Sequence, residues 1–205
     1  MGLSEMQGWR LEMEDSHVAL SMPSLPDHTF LAVFDGHGGS NSAVFSAANM
    51  ISIIEKNTYW SSYLDGGAVD VDLLGRALSQ AFFDIDDALR SEIIDVRDVS
   101  GCTCVSAMIT PRYIVCGNAG DSRCVIGTDK ITKAMSKDHK PNNELEQRRI
   151  EKAGGKVQAG RVDGDLSVSR ALGDFRFKNR HDLTAKEQKV SIQQIVDFLL
   201  VSAEF

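Results

Sequence analysis

The chain has 205 residues, enough for one large domain or two small ones. Hydrophobic residues make up 42% and charged residues 25%, an ordinary globular balance, and no apolar run is long enough to span a bilayer or serve as a secretory signal. The net charge of −7 argues against a nucleic-acid binder, whose affinity rests on Lys and Arg, and leaves an acidic excess available to cations.

The chain opens with "MGLSEM", where Met6 stands at the position an N-myristoylation motif gives to Ser or Thr, so no acylation is expected. "SHVALSM" and "TFLAVF" read as two strands joined by a Pro-containing turn. A helix is expected from about Ser40 to Lys56, with Val44, Phe45, Ala48, Ile51 and Ile54 as its apolar positions. Residues 61–70, rich in Gly, Ser and Asp, read as a loop. A second helix is expected from about Val71 to Ile93, with a core-facing stripe of Leu74, Ala77, Leu78, Ala81, Phe82, Ile85 and Leu89.

The period then changes to two. "CTCVSAMIT", "RYIVCGNAG" and "SRCVIGT" read as an antiparallel meander, since no crossover helix separates them. Pro141 opens a short polar helix running to about Lys152, which Asn143 and Glu146 could close as a capping box and Gly154–Gly155 would end. Cys102 and Cys104 alternate on one expected strand, while Cys116 and Cys124 sit in neighbouring apolar runs. The spacing is not that of a zinc site. The four read as reduced core thiols, which suits a cytoplasmic or nuclear location. This order of elements points to an α+β domain of antiparallel sheets with helices on their outer faces.

The chemistry lies in carboxylates beside strand ends. In "FLAVFDGHGG" an apolar strand runs into Asp35, which is expected to be buried. A buried lone carboxylate costs several kcal/mol or takes up a proton, and a divalent cation removes that cost. Gly36 could turn its carbonyl toward the ion. His37 is a ligand or a proton donor, and beside an all-oxygen set the proton donor is preferred. Glu14 and Asp15 precede the first strand and face opposite ways if extended, so only one of them can touch a given ion. Asp121 and Asp174 repeat the pairing of Asp with a preceding Gly. Singly, each is an ordinary turn residue; together with Glu14 and Asp35 they suit a hydrolytic site with two ions roughly 3.5–4 Å apart.

The ordered set "GWRLEMEDSH", "FDGHGG", "SGCTCVSAMI", "CGNAGDSR", "SKDHKP" and "RVDGDLSVSRALGD" resembles the successive motifs of the metal-dependent protein phosphatases of type 2C. The resemblance runs from Gly2 to about Lys189. It implies one catalytic domain over 1–205, built as a sandwich of two antiparallel sheets flanked by helices, with a flap over about 141–164 that influences substrate choice. The implied reaction is Mg²⁺- or Mn²⁺-dependent hydrolysis of phosphoserine and phosphothreonine in phosphorylated proteins. Water activated by two ions is the nucleophile, and a third ion is bound more weakly. Asp35 resembles the carboxylate shared by both ions and Gly36 the carbonyl ligand. Glu14 and Asp174 resemble ligands of one ion each, and Asp121 a residue linked to the third. Asp15 resembles an acidic neighbour acting through water, Arg10 the phosphate clamp and His37 the general acid. Arg161, in the flap, is expected to contact substrate. No nucleic-acid or membrane partner is implied, and the oligomeric state is left open.

The family pattern also extends past both ends. It has a strand before the segment matching "GLSEMQGW", and it continues from a segment like "AEF" into a strand ending on an Asp-Gly pair whose Asp is a further ligand. The chain therefore reads as a fragment or shortened form, incomplete at the termini, with the ion at Asp174 held more weakly and activity reduced or lost. Residues 179–205 are expected to be extended by resemblance, although Ile192, Ile195, Val196, Leu199 and Leu200 fall at helical spacing. The alternative function is a catalytically inactive binding or regulatory module. An unrelated metal nuclease is disfavoured by the acidic charge.

Overall fold

The computed structural model describes residues 1–93, 97–129 and 131–200. Strands β1 (Ser16–Met22) and β2 (Leu25–Phe34) form an antiparallel hairpin with Ser16 opposite Phe34. Alternation decides which face of β2 is inside: His28, Phe30, Ala32 and Phe34 are buried, whereas Val33 is exposed. The chain then leaves this sheet, and β3 (Gly36–His37) joins another.

Helix α1 spans Asn41–Lys56. Its buried face matches the expected stripe only in part: Ile54 is buried, and Phe45 and Ile51 pack against the core. Ser42, Ala43, Ser46, Met50 and Ile54 point inward, while Val44 is 55% exposed and Ala48 is exposed as well. Two buried hydroxyls account for the rotation. Ser42 Oγ lies 2.8 Å from Ser100 Oγ, and Ser46 Oγ accepts a long hydrogen bond from Cys102 Sγ. A further helix, α2 (Thr58–Asp65), stands where a loop was expected from residue 61. Asn57 Oδ1 caps it by accepting from Tyr59 N at 2.8 Å, and Trp60 and Tyr63 anchor it in the core. Helix α3 (Val71–Glu92) matches its expectation: all seven stripe residues are buried, and Asp70 caps it.

Strands β4 (Gly101–Cys102), β5 (Cys104–Ile109) and β6 (Tyr113–Ala119) follow. Cys102 and Cys104 therefore lie in different sheets, not on one strand, and the chain breaks at Thr103, whose N–H donates to Asp35 O. β5 and β6 form the expected hairpin, turned at Pro111. The third run does not extend it. β7 (Val125–Gly127) pairs with β8 (Thr132–Ala134) as a separate ribbon over Val105, Cys116 and Met135. All four cysteines are free thiols.

Helix α4 (Glu144–Lys152) follows Asn143, but the capping box is not made. The Asn143 side chain donates to Asp138 O, and Glu146 turns inward instead. Glu146 is buried against Arg149 at 2.7 Å, with Arg170 and the Ser169 hydroxyl on the same carboxylate. Burial would raise its pKa, but Arg170, Arg149 and Ser169 outweigh this and hold the carboxyl down to about 2. Short strands β9 (Val157–Gln158), β10 (Arg161–Val162) and β11 (Leu172–Gly173) follow, then a 3-10 turn at Phe175–Phe177. Last comes β12 (Ile195–Leu200), which is extended as expected despite its helical spacing. Residues 201–205, including "AEF", lie outside the described residues.

The fold is α+β. A five-stranded antiparallel sheet has the order β1-β2-β5-β6-β12, and a small three-stranded sheet the order β11-β4-β3. Phe30, Phe34, Met50, Leu78 and Phe82 belong to the main core shared by the five-stranded sheet, α1 and α3. Each such burial contributes about 1.5–3 kcal/mol.

Candidate active site

The three-stranded sheet is the scaffold of the site. β4 lies between β3 and β11, so Gly101 faces His37 on one side and Gly173 on the other. This brings His37 and Asp174 together across the sheet, with Nε2 of His37 2.7 Å from Oδ2 of Asp174. A Cβ on Gly101 would stand 2.3 Å from Asp174 Oδ2 and 2.7 Å from His37 Nε2, so the pair exists only because residue 101 has no side chain. Gly36 is bare for a similar reason: a Cβ there would lie 2.2 Å from the Glu14 carbonyl oxygen.

Asp35 is exposed, not buried as expected, because β2 ends at Phe34 and the next residue emerges at the mouth of a cleft. Its carboxyl has still lost part of its water. That loss, with the negative charges of Asp15 and Asp121, raises its pKa, while His37 and Arg10 pull it down. Two neighbouring cavities share Arg10, Asp35 and Gly36. The smaller, of about 120 Å³, adds the carboxylates of Glu12, Glu14 and Asp15. The larger, of about 440 Å³, adds His37, Asp121, Arg161 and Arg176.

Glu14 Oε1 accepts from Gly39 N at 2.6 Å, and its other oxygen meets Arg10 at 3.3 Å. Asp121 is held by Lys140. Asp174 is fully buried; its Oδ2 is taken by His37 and its Oδ1 has no hydrogen-bond partner among the described residues. Burial would lower the His37 pKa, but the Asp174 hydrogen bond and the charges of Asp174, Asp35 and Glu14 raise it overall. Arg161 is exposed and donates to the Asp165 carbonyl at 2.6 Å. The structure thus sets Asp15 and Asp121 within electrostatic range of Asp35 and places Glu14 against Gly36. Glu14 and Asp174, by contrast, are occupied by Gly39 and His37, and among the described residues no three His, Cys, Asp or Glu side chains are grouped so as to hold an ion as they stand.

The donor set nonetheless fits a hard divalent cation. The smaller cavity is lined with carboxylate oxygens, and the buried Asp174 Oδ1 is an acceptor awaiting a positive partner.

Several site residues escaped the sequence reading. Gly101 and Thr103 lie in the motif "SGCTCVSAMI" but were given no role, and Arg176 lies just past the last motif. Asp86 and Lys178 are buried together at 2.7 Å, and Asp86 also accepts from Gly173 N at 2.8 Å, fixing the loop that carries Asp174. Asp86 showed only as a charge within the apolar run of α3, and Lys178 stood among other polar residues in "FRFKNR".

The protein phosphatase 2C family pattern matches residues 1–199. Among curated relatives, protein phosphatase 2C homolog 3 of Schizosaccharomyces pombe is 42% identical over 199 residues, covering 95% of this chain and 46% of the relative. Human protein phosphatase 1A is 41% identical over 194 residues, covering 93% of this chain and 50% of its own length. The chain thus spans about half the length of these relatives. Among solved structures, a phosphatase from a pathogenic strain of Toxoplasma gondii superposes with a TM-score of 0.77 at 26% identity, covering 94% of this chain and 70% of that one. On the strength of its near-complete match and of these relatives, the chain belongs to the protein phosphatase 2C family.

Proposed function

We propose that this domain hydrolyses phosphoserine and phosphothreonine in proteins with the help of Mg²⁺ or Mn²⁺. Protein phosphatases 2C generally depend on these metals. The observation that carries the proposal is the pair of cavities sharing Arg10, Asp35 and Gly36, one lined with carboxylates and the other carrying His37 and arginines.

Glu14, Asp35 and the Gly36 carbonyl would hold one ion, with Asp15 acting through water. Asp35 and Asp174 would serve a second, and Asp121 a weaker third. The ions would supply Lewis-acid activation of water and offset the charge of the phosphate. Arg10, whose planar fork suits two phosphate oxygens, orients the ester. Arg161 reaches the same cavity and adds a second cationic contact. His37 hands a proton to the departing serine or threonine oxygen. Because Nε2 faces Asp174, the donating atom is Nδ1, which has no hydrogen-bond partner among the described residues.

The test is phosphate release from a phosphothreonine peptide as Mn²⁺ is added and then removed by chelation. Release that follows the metal supports the proposal. Tight binding of the peptide with no release at any metal concentration would place the domain among binding modules instead.

A further inference from the structure

The larger cavity brings together more arginines than one phosphate needs. Arg10, Arg161 and Arg176 line it beside three aspartates, Asp35, Asp121 and Asp165, in a chain whose net charge is −7. Arg10 is paired with Glu14. Arg161 meets only a neutral carbonyl, that of Asp165, and has no carboxylate partner among the described residues. Arg176 is on the 3-10 turn just after Asp174, with its side chain 46% exposed. Its guanidinium lies 4.8 Å from the centre of the Phe177 ring, a cation–π contact that holds its plane.

One carboxylate already shows what Arg176 accepts. Asp165 Oδ2 stands 2.9 Å from Arg176 Nη1, and that carboxylate is itself 57% exposed. An ion pair so exposed is weak and yields readily to a competing anion. The remaining guanidinium donors have no protein partner among the described residues, and Arg176 lines the cavity that contains Asp35 and His37.

Resting on the phosphatase reading of that cavity, we propose that Arg176, with Arg161 beside it, is a specificity determinant that selects phosphopeptides carrying Asp or Glu next to the phosphorylated residue. The substrate carboxylate takes the place of the Asp165 side chain on Arg176, while the phosphate is bound by Arg10. Asp165 then acts as an internal competitor that sets the strength of the preference.

The test is fluorescence anisotropy, in Mn²⁺, with peptides whose phosphothreonine is replaced by a phosphonate that cannot be hydrolysed. Peptides with acidic and with neutral flanking residues are compared. The native chain should bind the acidic peptide roughly three- to tenfold more tightly, with the advantage shrinking as salt rises. Arg176→Ala should erase the difference, Arg176→Lys should keep part of it, and Asp165→Asn should enlarge it. Equal affinity of the native chain for both peptides, or an equal loss for both in Arg176→Ala, would overturn the proposal. Hydrolysis of p-nitrophenyl phosphate by the native chain is measured alongside. Its failure would count against the phosphatase reading alone, because the binding comparison decides the role of Arg176 without catalysis.

Discussion

His37 Nε2 lies 2.7 Å from Asp174 Oδ2, a hydrogen bond between residues 137 positions apart that exists because Gly101 between them has no side chain. The pair fixes the imidazole at the mouth of the cleft and assigns its two nitrogens different tasks. One is turned toward the protein, and the other is left for substrate.

Gly101→Ala should therefore disable the site without unfolding the domain. The added methyl group would push Asp174 and His37 apart, at an overpacking cost of about 1–3 kcal/mol. Turnover of a phosphothreonine peptide should fall by about 10²–10⁴-fold, as on losing a general acid, whereas an aryl phosphate, whose leaving group needs little protonation, should suffer less. His37→Gln should show the same split between substrates and keep its Mn²⁺ affinity. Equal losses on both substrates would make His37 a structural residue or a ligand.

Asp86 and Lys178 are a buried pair, with side chains 7% and 3% exposed, behind the loop that carries Asp174. Removing one charge strands the other. Asp86→Ala should cost about 3–5 kcal/mol in urea unfolding and also free the Gly173 amide. A change below 1 kcal/mol would mean that Lys178 reaches solvent without Asp86.

The Glu146 cluster should make stability depend on acidity. Its carboxyl titrates near 2 in the folded chain against 4.5 ordinarily, so its stabilisation, about 3 kcal/mol, is full above 4.5 and drains as pH falls toward 2. His139, which burial and the Arg170 charge push down to about 4, loses stability in the same acid direction in both forms, and somewhat more in Glu146→Gln, where the Glu146 charge no longer holds its pKa up. Glu146→Gln should thus be clearly less stable than the native chain at about pH 6 and approach it at about pH 3. A difference that stays constant with pH would show that the Glu146 charge contributes little.

The cysteines should differ in reactivity. Burial raises the Cys102 and Cys104 thiols, and Cys116 is raised by its neighbour Cys124 and by burial. The Cys116 thiol in turn lowers Cys124, against burial, and Cys124 is half-buried. A thiol reagent should modify Cys124 in the native state well before the other three. Uniform slow labelling, or fast labelling that persists in Cys124→Ser, would contradict this.

The elements best read from sequence are those whose polarity pattern matches their packing. In α3 every expected stripe residue is buried, from Leu74 to Leu89. In α1 the pattern misled, because Ser42 and Ser46 are inside, satisfied by Ser100 and Cys102, while Val44 is outside. Helix α2 was hidden among polar residues, although the Trp60–Tyr63 spacing and Asn57 as a cap were there to see. At the site, the Asp-Gly pairs at strand ends were legible. The cluster of Glu146, Arg149 and Arg170 was not, since its members meet only through folding and Glu146 sits where a capping residue would. Gly101 lies in a quoted motif, but its role was unreadable for the same reason: its need for bareness comes from two side chains distant in sequence.

The most direct test follows phosphate release from a phosphothreonine peptide while Mn²⁺ is titrated into the native chain and into Asp35→Asn. Asp35 is the carboxylate common to both cavities. The account predicts saturable, metal-dependent release by the native chain. In Asp35→Asn it predicts a loss of about a hundredfold or more in metal affinity or turnover, since even partners outside the ligand set cost 10–100-fold. An Asp35→Asn chain that binds Mn²⁺ and releases phosphate as the native chain does would contradict it.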